Sequence, residues 1–221
     1  MANPNIIVPH ILAHEGGLSR AKTDSASLHP APYTTTAKDW SNGGQLLTKN
    51  DWHTNKGVTW QTFNHGSTML GYEVNQSNWE KMPQAIWQKI YKLLYWDALH
   101  GDQILNQAIA NVLAEWSWLS GNNAVKNLQQ VLNRAPFQKG LTVDGSMGPK
   151  TLAATNQVNQ AQLYQLLVAE YADYVKQIGN NSPANLPGWT SRLNDLIKFS
   201  TPYVAPIAGA LVFFCSHYWV L

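Results

Sequence analysis

A mainly α-helical fold with a polar, loop-rich lobe set after the first helix is what this sequence predicts, on three observations. Apolar residues recur at helical spacing from about residue 82 to residue 196. Residues 18 to 66 are instead rich in Ser, Thr, Asn, Pro and Gly. Within that region only Val58–Phe63 reads as a short β segment. A loop-rich lobe facing a helical body makes a cleft, the common setting for a ligand site.

Taken in order, residues 5–14 place Ile7 and Ile11 four apart and run into Glu15-Gly16-Gly17, where glycine is the expected helix stop. In Val58–Phe63, residues Val58, Trp60 and Phe63 are the side chains expected to pack inward. Met82, Ile86, Ile90, Leu93 and Leu94 then line one helical face. Ile104, Ala108, Val112 and Trp116 line a second, and Val125, Leu128 and Leu132 a third. A turn at Val143–Pro149 follows, in which Asp144 can close an Asx turn, Gly145 and Gly148 permit positive φ, and Pro149 suits a first helical position. Leu163, Leu167, Tyr171, Tyr174 and Ile178 mark a long helix, and Trp189, Leu193 and Leu196 a last one. No internal repeat is present.

Composition narrows the function classes. The chain has 221 residues of which 13% are charged, against roughly 25% in average globular chains, so charge-driven disorder is excluded. One cysteine, Cys215, forms neither an intrachain disulfide nor a cysteine zinc site. A net charge of +2 with no basic cluster gives no phosphate-tracking surface, and no nucleic-acid partner is expected. The N-terminus has neither the basic nor the apolar region of a secretory signal. Phe199–Leu221 carries no Asp, Glu, Lys or Arg and follows Lys198, a length that spans a bilayer. Pro202, Pro206, Ser216 and His217 interrupt it, so a membrane anchor, a helix packed on the body and an interfacial segment, with membrane contact through residues 203–221, all stay open.

Among the thirteen acids, Glu15 has the clearest chemical setting. A carboxyl at a helix C-terminus meets the negative end of the dipole, which favours its protonated form. A carboxylic acid kept protonated is what donating a proton to a glycosidic oxygen requires. Gly16 and Gly17 would let a polymeric substrate approach the backbone; a helix end with a solvated acid is the alternative. The ten Trp and nine Tyr suit stacking on sugar rings, with core packing as the alternative. His10 and His14 are four apart but do not form His-Glu-x-x-His and lack an indicated third ligand, so no metal is expected. No Gly-x-Ser-x-Gly elbow, phosphate loop or dinucleotide fingerprint occurs, and no cofactor is expected.

In order and spacing, His14-Glu-Gly-Gly17, Lys56-Gly-Val-Thr59, Tyr95-Trp-Asp97, Glu115-Trp-Ser-Trp-Leu-Ser-Gly121, Leu128-Gln-Gln-Val-Leu132 and Asp144-Gly-Ser-Met-Gly-Pro-Lys-Thr151 resemble glycoside hydrolase family 108, over about residues 5–199. This is the N-acetylmuramidase or secretion activator family. The resemblance implies a lysozyme-like helical domain over residues 1–121 and a helical peptidoglycan-binding half over 122–200, followed by the hydrophobic tail 201–221. It implies hydrolysis of the β-1,4 bond between N-acetylmuramic acid and N-acetylglucosamine in peptidoglycan glycan strands, by a bacterial or phage-encoded protein acting at the cell wall. Glu15 is then the proton donor. The chain departs from the family through a longer insertion between Glu15 and Gly57, so the second acid stays open among Asp51, Asp24 and Glu115; an acid beside Trp116 inside a helix can instead serve structure. Leu119 stands where the family often has Asn. His53, Thr59 and Trp60 are expected to line the cleft. A lytic transglycosylase, which needs no water-activating carboxylate, and a non-catalytic wall-binding or secretion-associated protein are the competing readings.

Overall fold

The computed structural model describes residues 1–19 and 53–204, and within them the protein is mainly α with one three-stranded sheet. Helix α1 spans Pro4–His14; the Asn3 side chain accepts the Asn5 N–H at 2.9 Å and Pro4 fills the first turn. Ile7, Val8, His10 and Ile11 are its buried residues. The helix ends at Glu15 with an extended backbone, φ −98° and ψ 130°. The expected glycine stop is therefore corrected: neither Gly16 nor Gly17 takes a positive φ, and both lie exposed.

Strands β1 (Leu18–Ser19), β2 (Thr54–Asn55) and β3 (Val58–Thr59) pair antiparallel in that order, with Leu18 opposite Asn55 and Asn55 opposite Val58. Lys56 and Gly57 join β2 to β3 with φ of 48° and 74°, the double positive φ that a two-residue hairpin needs to match strand twist. The expected β segment over Val58–Phe63 stops at Thr59. There the Thr59 hydroxyl accepts the Thr62 N–H at 3.1 Å and starts helix α2, Trp60–Met69, so a local cap outweighs apolar alternation.

Helices α3 (Gln76–Glu80) and α4 (Gln84–Tyr91) follow. The apolar face expected over 82–94 is not one helix: Met82 precedes Pro83 at the start of α4, and Lys92–Trp96 form a single wide π-helical turn. Helix α5, Gln107–Ser120, is the central element, with every residue from Ala108 to Ser117 buried, as suits a helix surrounded by others. Helices α6 (Asn123–Asn133), α7 (Pro149–Gln157), α8 (Gln160–Asn181) and α9 (Leu186–Ser200) complete the body. The Asp144 turn has the expected Asx bond, Ser146 N–H to Oδ1 at 2.8 Å; only Gly145 of its two glycines uses a positive φ.

Residue 121 lies in the turn between α5 and α6, but the apolar core crosses it. Leu167 and Tyr171 of α8 and Leu193 and Leu196 of α9 share one cluster with Ile7 and Ile11 of α1. Of the tail, Thr201–Tyr203 form a 3-10 turn, and residues 205–221 lie outside the described residues. Among the described residues no helix is long and apolar enough to cross a membrane.

Candidate active site

Glu15 leaves the end of α1 pointing into a junction of three distant segments. Its Oε1 accepts the Trp118 indole N–H at 2.6 Å and an Arg192 N–H, from Nη1, at 2.7 Å. Its Oε2 accepts no hydrogen bond among the described residues. Trp118 comes from α5, three residues after Glu115, so both side chains occupy the same helical face. Arg192 comes from α9, where it flanks the stripe Trp189, Leu193 and Leu196.

Arg192 is shared between two acids. Its Nε–H donates to Glu115 Oε1 while Nη1 serves Glu15. The three side chains are 13%, 0% and 11% exposed for Arg192, Glu115 and Glu15. Burial works against the guanidinium charge, but Glu115 and Glu15 outweigh it and hold Arg192 above the ordinary arginine range. Arg192 is thus the charged group bonded to Glu15, a partner that lies far from the helix end in sequence. Tyr91 and Tyr171, raised by burial and by the Glu115 charge, stay neutral around the pair.

The floor of the junction is backbone. A Cβ on Gly57 would stand 2.3 Å from Glu15 Oε2 and 2.7 Å from the Trp118 ring, so only glycine leaves room for the carboxylate. The hairpin carrying Gly57 is fixed by the Trp87 N–H on Lys56 O at 2.9 Å and by Lys56 Nζ on Met82 O at 2.9 Å. Beside it Trp87, Tyr91 and Tyr95 stack in sequence along α4 and the wide turn, and Trp118 contacts all three, with its ring centroid 4.8 Å from that of Tyr95. Trp87 and Tyr91 are buried, whereas Tyr95 and Trp118 are half-buried. Burial, partly offset by a bond to Thr62, and then the Glu15 charge raise the Tyr95 hydroxyl.

The structure therefore unites Glu15 with Gly57, Tyr95, Trp118 and Arg192, and it redistributes the other expected residues. Glu115 is fully buried and engaged by Arg192, without access to water, which is the structural alternative named for it. His53 is fully buried, its N–H bonded to Ser19 O at 3.0 Å, and forms no cleft wall. Thr59 spends its hydroxyl on the cap of α2. Trp60 is half-buried and packs against the core, on Phe63 and edge-on to Trp79. Asp24 and Asp51 lie outside the described residues. The His10 and His14 rings sit 4.8 Å apart with His10 stacked on Phe199; among the described residues no group of three or more His, Cys, Asp or Glu could hold a metal ion.

A family model described as Glycosyl hydrolase 108 matches residues 8–121, just over half of the chain. Among solved structures the chain is similar to one titled Structure of Brucella abortus SagA, with a TM-score of 0.65 and 23% identity over 93% of this chain and 97% of that one. That likeness is one of fold. No curated protein matches.

Proposed function

We propose that this chain, which belongs to the glycosyl hydrolase 108 family of glycoside hydrolases, is an N-acetylmuramidase that acts at the cell wall with Glu15 as general acid. The substrate is the peptidoglycan glycan strand, and the bond is the β-1,4 link between N-acetylmuramic acid and N-acetylglucosamine. The observation that carries this reading is the asymmetry of the Glu15 carboxyl: two donors occupy Oε1 and, among the described residues, none occupies Oε2. In this reading the acid presents its transferable proton from Oε2. The proton passes to the glycosidic oxygen, the C1–O bond breaks with its electron pair going to that oxygen, and water adds to the oxocarbenium carbon and gives up a proton, which balances the one that Glu15 must regain. Exposed Gly16 and Gly17, where an added Cβ meets nothing within 4 Å among the described residues, support the approach of a polymer.

A second reading rests on Glu115. It is the acid joined to Glu15 through a shared partner, and its burial denies it a water to activate. A lytic transglycosylase, in which the muramic 6-hydroxyl adds in place of water, fits that observation.

Mass spectrometry of the sugar ends released from peptidoglycan by the full chain and by Glu15→Gln tests both. Reducing N-acetylmuramic acid ends from the wild type alone are expected. Anhydro-muramic ends would establish the transglycosylase, and equal release by Glu15→Gln would refute Glu15 as the acid.

A further inference from the structure

We propose that Arg192 is the positioning residue of the active site, so that α9, which lies outside the family-matched segment, completes the catalytic centre. The inference rests on Glu15 being the acid. Its geometric basis is the fork: one guanidinium gives Nε–H to Glu115 and Nη1–H to Glu15 Oε1, the latter at 2.7 Å. Two carboxylates on two elements, α1's end and α5, are thereby referenced to a single rigid plane.

Stability alone does not account for this arrangement. A buried ion pair commonly contributes no more than apolar residues of the same volume would, and Glu115 already satisfies the charge of Arg192. The outer arm of the fork nevertheless goes to Glu15. What that arm does follows from the chemistry. While the proton is on Oε2, Oε1 accepts the Trp118 and Arg192 donors as a neutral carbonyl oxygen. As the proton leaves, negative charge spreads over both oxygens, and the same two donors become charge-assisted. Their contribution grows toward the transition state and is small in the bound ground state, so it falls on kcat and not on KM. Glu115 is the anchor that holds Arg192 in register for this. A lysine would bring the charge but not the fork, since an ammonium is a point charge with no planar pair of arms.

Two variants of the full chain test the inference on soluble, uncross-linked glycan strands. Arg192→Lys keeps the cation. The double variant Arg192→Met/Glu115→Leu removes both buried charges together and keeps an apolar side chain in each place, so that neither charge is left unpaired. Each is expected to lose about 10- to 100-fold in kcat with KM within about twofold of wild type, while the double variant keeps the wild-type melting temperature within a few degrees. Wild-type kcat in the folded double variant, a loss confined to KM, or recovery of kcat on cooling to where a variant is fully folded would each overturn the proposal. The two levels separate cleanly: an active wild type with an inert Glu15→Gln and unaffected Arg192 variants removes only this inference, whereas an inert wild type removes the functional reading beneath it.

Discussion

Gly57→Ala is the substitution whose consequence can be worked most directly from coordinates. The new methyl would sit 2.3 Å from Glu15 Oε2, 2.7 Å from Trp118 Cζ2 and 2.8 Å from Glu15 Cδ. Ordinary van der Waals contact begins near 3.4 Å, so the carboxylate must retreat by about 1 Å, and misplacement on that scale costs about 100-fold in rate. Retreat is not free, because Oε1 is held at 2.6 Å by Trp118 and at 2.7 Å by Arg192; one of these bonds breaks or lengthens. Separately, alanine at φ 74° adds backbone strain of about 1–2 kcal/mol, which lowers the melting temperature of a chain this size by about 2–8 °C. The assay is release of reducing ends at 25 °C, where the variant remains folded, beside calorimetric melting. Full turnover with only the thermal shift would refute the claim that catalysis depends on where this carboxyl sits. An unshifted melting temperature would refute the strain argument.

Trp118→Phe removes the indole N–H from Glu15 and keeps a ring against Trp87 and Tyr95. A hydrogen bond to a charged group is worth about 1.5–3 kcal/mol, so turnover should fall about 10- to 100-fold; a change within twofold in a folded variant would sink the assigned role. Folding stability should also depend on His10, which burial, with His14 and Arg192 adding to it and Asp195 opposing, lowers from 6.5 to about 4. His10 is packed against His14 on its own helix and against Phe199 of α9. The unfolded chain binds the proton first, so stability falls as pH drops from 6.5 toward 4, by at most about 3 kcal/mol. In urea titrations across that window His10→Leu should flatten the slope, and an identical slope would show that another group is responsible.

The sequence made legible what local periodicity and capping govern. Ala108, Val112 and Trp116 are buried on α5 and Val125, Leu128 and Leu132 on α6, as their spacing requires, whereas Ile104, though buried, is extended and precedes the helix. Glu15 stood out as a candidate because a helix end, an acid and two glycines fall together. Two errors were local competitions decided by side chains: the Thr59 hydroxyl converted an apparent strand into a helix start, and Glu15 ended α1 in an extended conformation with no left-handed glycine. Trp118 carried a signal, its place three residues after Glu115 on one helical face. Arg192 carried almost none beyond being one of three arginines among twelve lysines and lying in an apolar stripe. Its bond to Glu15 spans 177 residues, and no pattern within a helix encodes a partner at that separation. His53 was misread for the same reason, since burial depends on what the rest of the chain lays over a residue.

These contacts bear on what the family-matched segment can be by itself. Residues 15, 57 and 118 lie inside the match over 8–121, and residue 192 lies outside it. Without α9, Glu115 would keep its fully buried position but lose its counter-charge, a loss of about 3–5 kcal/mol where one partner of a buried pair is removed. The apolar surface that Leu193 and Leu196 share with α1 and α5 would open to water at the same time. The matched segment therefore carries the proposed acid, Gly57 and Trp118 but not the arginine that shares Glu15 Oε1, which α9 supplies. Glu115 joins the two halves: an acid in the wrong place to activate water is in the right place to fix the arginine that orients Glu15.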